Sequence, residues 1–198
     1  MTNKIIVSAP EIVKQGGRAL YRAGVTSGDL ADIIEIDVHV DFGEFLAPSS
    51  DAMLIACLIP AMYAGVDIEI NGPVSPDLLT AARKPIQTVL RCNKPYLQNV
   101  LIEHFGDFYS PPKRLETSGI GFSGGIDSLF SVIDLSERPR INAPKTLHLV
   151  NTNYSRYLEF APWERNIVRV AAQELEQPLI EVNSHIDALF APPWTSRT

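Results

Sequence analysis

Cysteine is scarce in this chain: Cys57 and Cys92 are the only two in 198 residues, and neither belongs to a Cys-x-x-Cys pair or a Cys/His cluster. That scarcity leaves nothing to build a disulfide scaffold or a structural zinc site, and it predicts a reducing, cytoplasmic compartment. Long hydrophobic runs are missing as well. The longest, Ala52 to Gly65, falls short of the ~18–20 residues that cross a bilayer and has Pro60 inside it, so it reads as a buried helix. Met1-Thr2-Asn3-Lys4 leads only into Ile5-Ile6-Val7 before Ser8 and Pro10, a pattern that predicts no export signal. Basic runs are absent too, and 17 Lys+Arg against 23 Asp+Glu give a net charge of −6, which argues against a general nucleic-acid binder. What is present is apolar material. A hydrophobic fraction of 45% is enough to bury a core and excludes disorder as the overall state.

Two patterns divide the chain. In the first part, Ile34, Ile36, Val38, Val40 and Phe42 alternate with Glu35, Asp37, His39 and Asp41, which predicts a half-buried strand over 34–42. Ser49 and Ser50 stand where helix-capping hydroxyls would precede the apolar helix. Val66, Ile68 and Ile70 form a second strand, and Ser75-Pro76-Asp77 opens a helix that Pro85 must kink or split. A further helix is expected over Tyr96–Phe105, ended by Gly106. Gly16-Gly17 and the Gly24/Gly28 region read as turns. Residues 106–119, with Pro111, Pro112 and several Gly and Ser, suit a connector, so the expected domains are 1–112 and 116–198. After that connector the order becomes strand (119–122), glycine turn, helix (127–135), strand (147–150), helix (163–177) and strand (179–182). Strands alternating with helices predict parallel βαβ units with right-handed crossovers. The expected fold class is α/β: an N-terminal α+β domain followed by a Rossmann-like parallel-sheet domain.

The strongest local signal is Gly121-Phe122-Ser123-Gly124-Gly125-Ile126-Asp127-Ser128-Leu129. A tight glycine turn between strand and helix gathers backbone N–H groups into one concavity, and the helix dipole adds positive potential there. Polyphosphate fits such a nest. Gly124 and Gly125 remove the Cβ atoms that would block phosphate oxygens, and the hydroxyls of Ser123 and Ser128 can donate further hydrogen bonds. Asp127 would repel phosphate unless it helps hold Mg²⁺ or caps the helix.

Ser123-Gly124-Gly125-Ile126-Asp127-Ser128 resembles the S-G-G-x-D-S signature of the PP-loop (N-type) ATP pyrophosphatases, the adenine nucleotide α-hydrolase-like superfamily, which includes 7-cyano-7-deazaguanine synthase and several synthetases. Five specified residues at ~5–7% usage each would coincide in about one chain in a few thousand of this length. The resemblance covers residues 116–198. It implies an ATP site at the C-terminal edge of a parallel sheet, where ATP and Mg²⁺ bind, a substrate is adenylylated and pyrophosphate leaves, as in a ligase or amidotransferase-like synthetase. Carried onto this chain, Gly121, Phe122, Ser123, Gly124, Gly125, Asp127 and Ser128 would bind the nucleotide, and Ser123 and Asp127 would be its catalytic residues. Asp127 would stand at the metal, and adenine would lie near Phe122 and Val150. Arg156 is a candidate further phosphate or substrate contact, or a plain surface arginine. Only 198 − 128 = 70 residues follow Ser128, fewer than such a domain normally uses. The expectation is therefore a partial domain, completed in a longer chain, by a partner chain or in a homo-oligomer, or else a nucleotide-binding module without catalysis.

A rival reading uses the same residues, since Gly121-Phe122-Ser123-Gly124-Gly125 also satisfies the G-x-S-x-G of a hydrolase nucleophile elbow. Its triad order is poorly met: His148 falls inside a strand, and Asp187 follows His185 instead of preceding it. Glu35, Asp37, His39 and Asp41 read as a solvated strand face, because side chains at i and i+2 stand about 7 Å apart and need ligands from elsewhere to close on a metal. Asn151–Arg156 and Asn183-Ser184-His185 follow predicted strands and would flank the nucleotide.

Overall fold

The computed structural model describes residues 4–110, 117–137, 146–154 and 162–190. The chain divides into two compact units, Met1–Pro111 with His185–Thr198, and Pro112–Ser184. The fold is mixed α/β, and among the described residues no helix is long and apolar enough to cross a membrane.

The first unit opens with β1 (Lys4–Val7), β2 (Glu11–Gln15), β3 (Arg18–Ser27) and β4 (Leu30–His39). Gly16 and Gly17 join β2 to β3 with φ of +58° and +76°, left-handed geometry that a two-residue hairpin turn with the twist of its strands demands. α1 (Asp51–Ala64) follows, then β5 (Asp67–Ile70), α2 (Pro76–Arg83), α3 (Pro85–Asn93) and β6 (Ile102–His104). The strands run in the order β6-β5-β1-β3-β4, with β2 also beside β3. β1 is parallel to β5 and antiparallel to β3, so the sheet is mixed. One sheet face is apolar: Ile5, Val7, Tyr21, Ala23, Val25, Ile34, Ile68 and Ile70 are buried, and Met53, Leu54, Leu58 and Met62 of α1 belong to the same core. The other face is charged. Lys4 meets Glu103 and Glu69, Arg18 meets Asp37, and Arg22 meets Glu35. That pairing accounts for Glu35 and Asp37 of β4. Among the described residues no group of three or more His, Cys, Asp or Glu could hold a metal ion.

Several sequence expectations change here. The strand expected over 34–42 begins at Leu30 and stops at His39, where Val40–Phe45 forms a 3-10 helix capped by the His39 ring. Ser50 precedes α1 but makes no side-chain cap; instead the Asp51 carboxylate accepts hydrogen bonds from the Ser75 N–H and hydroxyl and ties the start of α1 to the start of α2. No helix covers Tyr96–Phe105, because its last part is β6, paired in parallel with β5. The physical reason lies partly in Gln87, which is 2% exposed. Its Oε1 accepts from the Val100 N–H at 2.9 Å, and its Nε2 donates to the Val100 and Ala82 carbonyls. With both backbone groups of Val100 thus engaged, no helical ladder can form there. Pro85 splits the helix as expected, leaving Lys84 outside helical geometry, at φ −141° and ψ −68°, between α2 and α3.

The second unit contains β7 (Thr117–Gly121), α4 (Ile126–Glu137), β8 (Thr146–Tyr154), α5 (Pro162–Glu174) and β9 (Leu179–Ser184). β8 lies between β7 and β9 and is parallel to both, in register Ile120 to Leu149 and Leu149 to Leu179. Its core joins Phe122, Val132, Leu149, Val168 and Ala172, so the apolar stripes of α4 and α5 pack on one face of the three strands. Arg169 of α5 grips Glu181 of β9 with two hydrogen bonds, at 3.0 and 2.9 Å.

Candidate functional site

The turn between β7 and α4 holds the conspicuous motif. β7 ends at Gly121, and the Phe122 N–H still donates to the Val150 carbonyl at 2.8 Å, so the chain leaves the sheet in register with β8. The Phe122 ring is 2% exposed within the core; what this residue gives the turn is its backbone and an anchor beneath it. Gly124 then takes φ +75°, the left-handed region where a Cβ is strained. α4 starts two residues later, and its first intrahelical bond runs from the Leu129 N–H to the Gly125 carbonyl at 3.0 Å. N–H groups in the first turn of a helix have no intrahelical acceptor and point outward from its end.

The hydroxyls draw the turn together. Ser128 Oγ donates to the Gly125 carbonyl at 2.9 Å and lies 3.4 Å from Ser123 Oγ, which in turn accepts from the Gly125 N–H at 3.4 Å. Long bonds of this kind are weak and exchange readily for a better acceptor. Ser123, Gly125 and Asp127 are exposed, whereas Gly124 and Ser128 are half-buried. A Cβ on Gly121 would meet no atom within 4 Å, and one on Gly125 would only touch Ser123 Oγ at 3.4 Å. Among the described residues, none packs so closely that it requires either glycine.

Of the residues singled out in the sequence, Gly121 through Ser128 therefore share one turn, and Val150 is joined to it through its carbonyl. Arg156 lies outside the described residues. Asn151 has a role that sequence reasoning placed only as flanking: its Nδ2 donates to the Phe122 carbonyl at 2.8 Å and fastens the turn to β8. Nothing in the sequence signals that bond, since it joins residues far apart in the chain. Among the described residues no histidine is hydrogen-bonded to Ser123. His148 sits in β8, and His185 belongs to the other unit.

Asp127 is the one carboxylate in the turn, and alone it cannot enclose a divalent cation. The donor set fits Mg²⁺ only if the ion arrives with phosphate oxygens and water completing its shell, which is how Mg²⁺ is commonly held. No family model, curated protein or solved structure matches the chain.

Proposed function

We propose that the second unit binds ATP-Mg²⁺ through the Ser123–Ser128 turn, as an ATP pyrophosphatase of the PP-loop type that adenylylates a substrate and releases pyrophosphate. The observation that carries this reading is the sequence Ser-Gly-Gly-Ile-Asp-Ser standing on a strand-turn-helix of a parallel sheet, with its left-handed glycine at Gly124. Parallel α/β sheets bind ligands beyond the carboxyl ends of their strands, and the turn lies at such an end.

Each residue has a definable task. The outward N–H groups at the start of α4 and the Ser123 and Ser128 hydroxyls donate to the oxygens of the pyrophosphate portion. Gly124 sets the curvature of the turn, and Gly121 and Gly125 leave room for the phosphates. The Asp127 carboxylate accepts from Mg²⁺-bound water or binds the ion directly. Asn151 holds the Phe122 carbonyl so that the turn keeps its shape when empty. When bound, Mg²⁺ neutralises charge that develops on the leaving pyrophosphate. This chemistry relies on positioning and needs no nucleophile from the protein.

The test is binding and product analysis with Mg²⁺-ATP. The wild-type chain should bind Mg²⁺-ATP and Mg²⁺-pyrophosphate, and Asp127→Ala and Gly124→Val should each lose both. With substrate present the products should be AMP and pyrophosphate; ADP and phosphate would refute the reaction. A nucleotide-binding module without turnover is the second reading, favoured by the single carboxylate in the turn. It predicts binding and the same losses, with no AMP formed.

A further inference from the structure

A second site lies in the first unit, far in sequence from the glycine turn. Between α1 and the end of α3 there is a cavity of about 520 Å³. That volume lies within the range of small-molecule pockets. Its walls are Ile59, Pro60 and Tyr63 of α1 and Leu90 of α3, closed by Tyr96 and Leu97 from the irregular passage before β6. Ile59 and Tyr96 remain 39% and 52% exposed, so the cavity opens to water with an apolar interior and an aromatic rim.

The two tyrosines give it shape. Their rings stand 6.0 Å apart at 81°, an edge-to-face corner that offers one ring face and one ring edge to a flat guest. Charge gives it sign. Among the described residues Lys94 is the single charged one of the lining, and no carboxylate accompanies it. Among the described residues its ammonium makes no ion pair or hydrogen bond, in a chain whose net charge is −6. Asn93 lines the cavity beside it; its Nδ2 donates to the Val89 carbonyl at 3.0 Å, which leaves Oδ1 to accept. A cation at a helix C-terminus is favourable by itself, but the helix dipole does not account for an apolar cavity with an aromatic corner next to it.

We propose that this cavity binds a small aromatic monoanion, a flat ring system seated in the Tyr63–Tyr96 corner with its acidic group at Lys94. The proposal stands apart from ATP binding, since the residues and the unit are different.

The experiment pairs two fluorescent probes of similar shape: 8-anilinonaphthalene-1-sulfonate, which carries the charge, and N-phenyl-1-naphthylamine, which does not. The folded wild-type chain should bind the sulfonate saturably at one site. Lys94→Glu should weaken the sulfonate about tenfold, as expected for loss and reversal of a charge-assisted contact, and leave the neutral probe unchanged. Tyr96→Ala should weaken both, with circular dichroism confirming that each variant is folded. Excess Mg²⁺-ATP should displace neither probe. Non-saturable sulfonate binding, equal effects of Lys94→Glu on the two probes, or full retention of both probes in Tyr96→Ala would each overturn the proposal.

Discussion

The two units solve the problem of a sheet's second face in different ways. In the first, the face away from α1 meets water through paired charges: Lys4 with Glu69 and Glu103, Arg18 with Asp37, and Arg22 with Glu35. Strands that include antiparallel pairs commonly live with one wet face. In the second unit all three strands are parallel, and the positions that alternate away from the helix-facing residues, Thr117, Gly119, Gly121, His148 and Val150, carry no Asp, Glu, Lys or Arg. Parallel strands ordinarily have both faces covered and show this neutral pattern. The helices differ as well. α1 buries most of its apolar side chains, whereas Ile126, Phe130 and Ile133 of α4 are 85%, 65% and 45% exposed. The second unit thus has apolar surface in the open beside its glycine turn, while the first has its own exposed apolar side chains outside the α1 core, among them Val89, Phe105 and Phe108 at 61%, 68% and 64%.

That contrast can be broken most forcefully in the larger core. Leu54→Ala, at a site with no exposure, should cost ~2–5 kcal/mol in denaturant unfolding. Hydrogen exchange should locate the loss in β1, β3, β5 and α1 and leave α4 and α5 protected; equal loss in all of them would erase the distinction between the units.

Alkaline pH should act on the first unit as well. Burial pushes the Cys57 thiol up from 9.0 to about 12, and burial with the nearby Asp51 carboxylate also raises the Tyr21 hydroxyl. Both groups stay neutral in the folded state while the unfolded chain ionises. The stabilisation from Cys57 is therefore complete below pH 9 and disappears as pH rises towards about 12. Urea melts from pH 8 to 11 should show that fall, and Cys57→Ala should flatten it. A thiol reagent at neutral pH should label exposed Cys92 at once and buried Cys57 only on unfolding.

Smaller changes sharpen the second unit. Gly124→Ala forces a Cβ into the left-handed region and should destabilise this unit by ~1–2 kcal/mol, with no change in the exchange protection of α1. Asn151→Ala removes the donor to the Phe122 carbonyl and should cost about 1 kcal/mol; nucleotide binding should weaken while the β8 register stays. The mildest change is Arg22→Met on the charged face. Its half-exposed pair with Glu35 should contribute ~0.2–1 kcal/mol, reduced further by salt. A much larger loss would mean that the charged face holds the first unit together.

The second unit was the more legible from sequence. Long periodic segments with Pro at their boundaries place β7, α4, β8, α5 and β9 close to where they lie, but the apolar stripe of α5 that includes Ile167 and Val170 is not its inner face: those two are 49% and 47% exposed, and Val168 and Ala172 are buried instead. The β2–β3 hairpin is faint in the sequence for a physical reason. Its buried positions, Ala19, Tyr21, Ala23, Val25 and Ser27, include three small side chains, too little apolar bulk for period two to stand out. Its glycine pair marks a turn, but the strands it joins carry no clear alternation. Tyr96–Phe105 misled in the opposite direction: its apolar spacing suits a helix, and only the distant Gln87 amide and the β5 edge make it an irregular passage and a strand. In the candidate site the turn was legible because its chemistry is contiguous, and the Asn151 contact was not because it exists only after folding.

Gln87 has one more consequence, concerning preorganisation. Its amide takes the place of a strand neighbour for Val100 and closes the stretch from α3 to β6 into a fixed arc. That arc carries Tyr96, Leu97 and Lys94, one wall of the apolar cavity, so a guest would meet a wall already set and would spend little affinity on ordering it. The same tether hides a proteolytic site. Arg91 is exposed, yet trypsin needs an extended, released backbone, so cleavage of the Arg91–Cys92 bond should follow opening of the unit and report its stability.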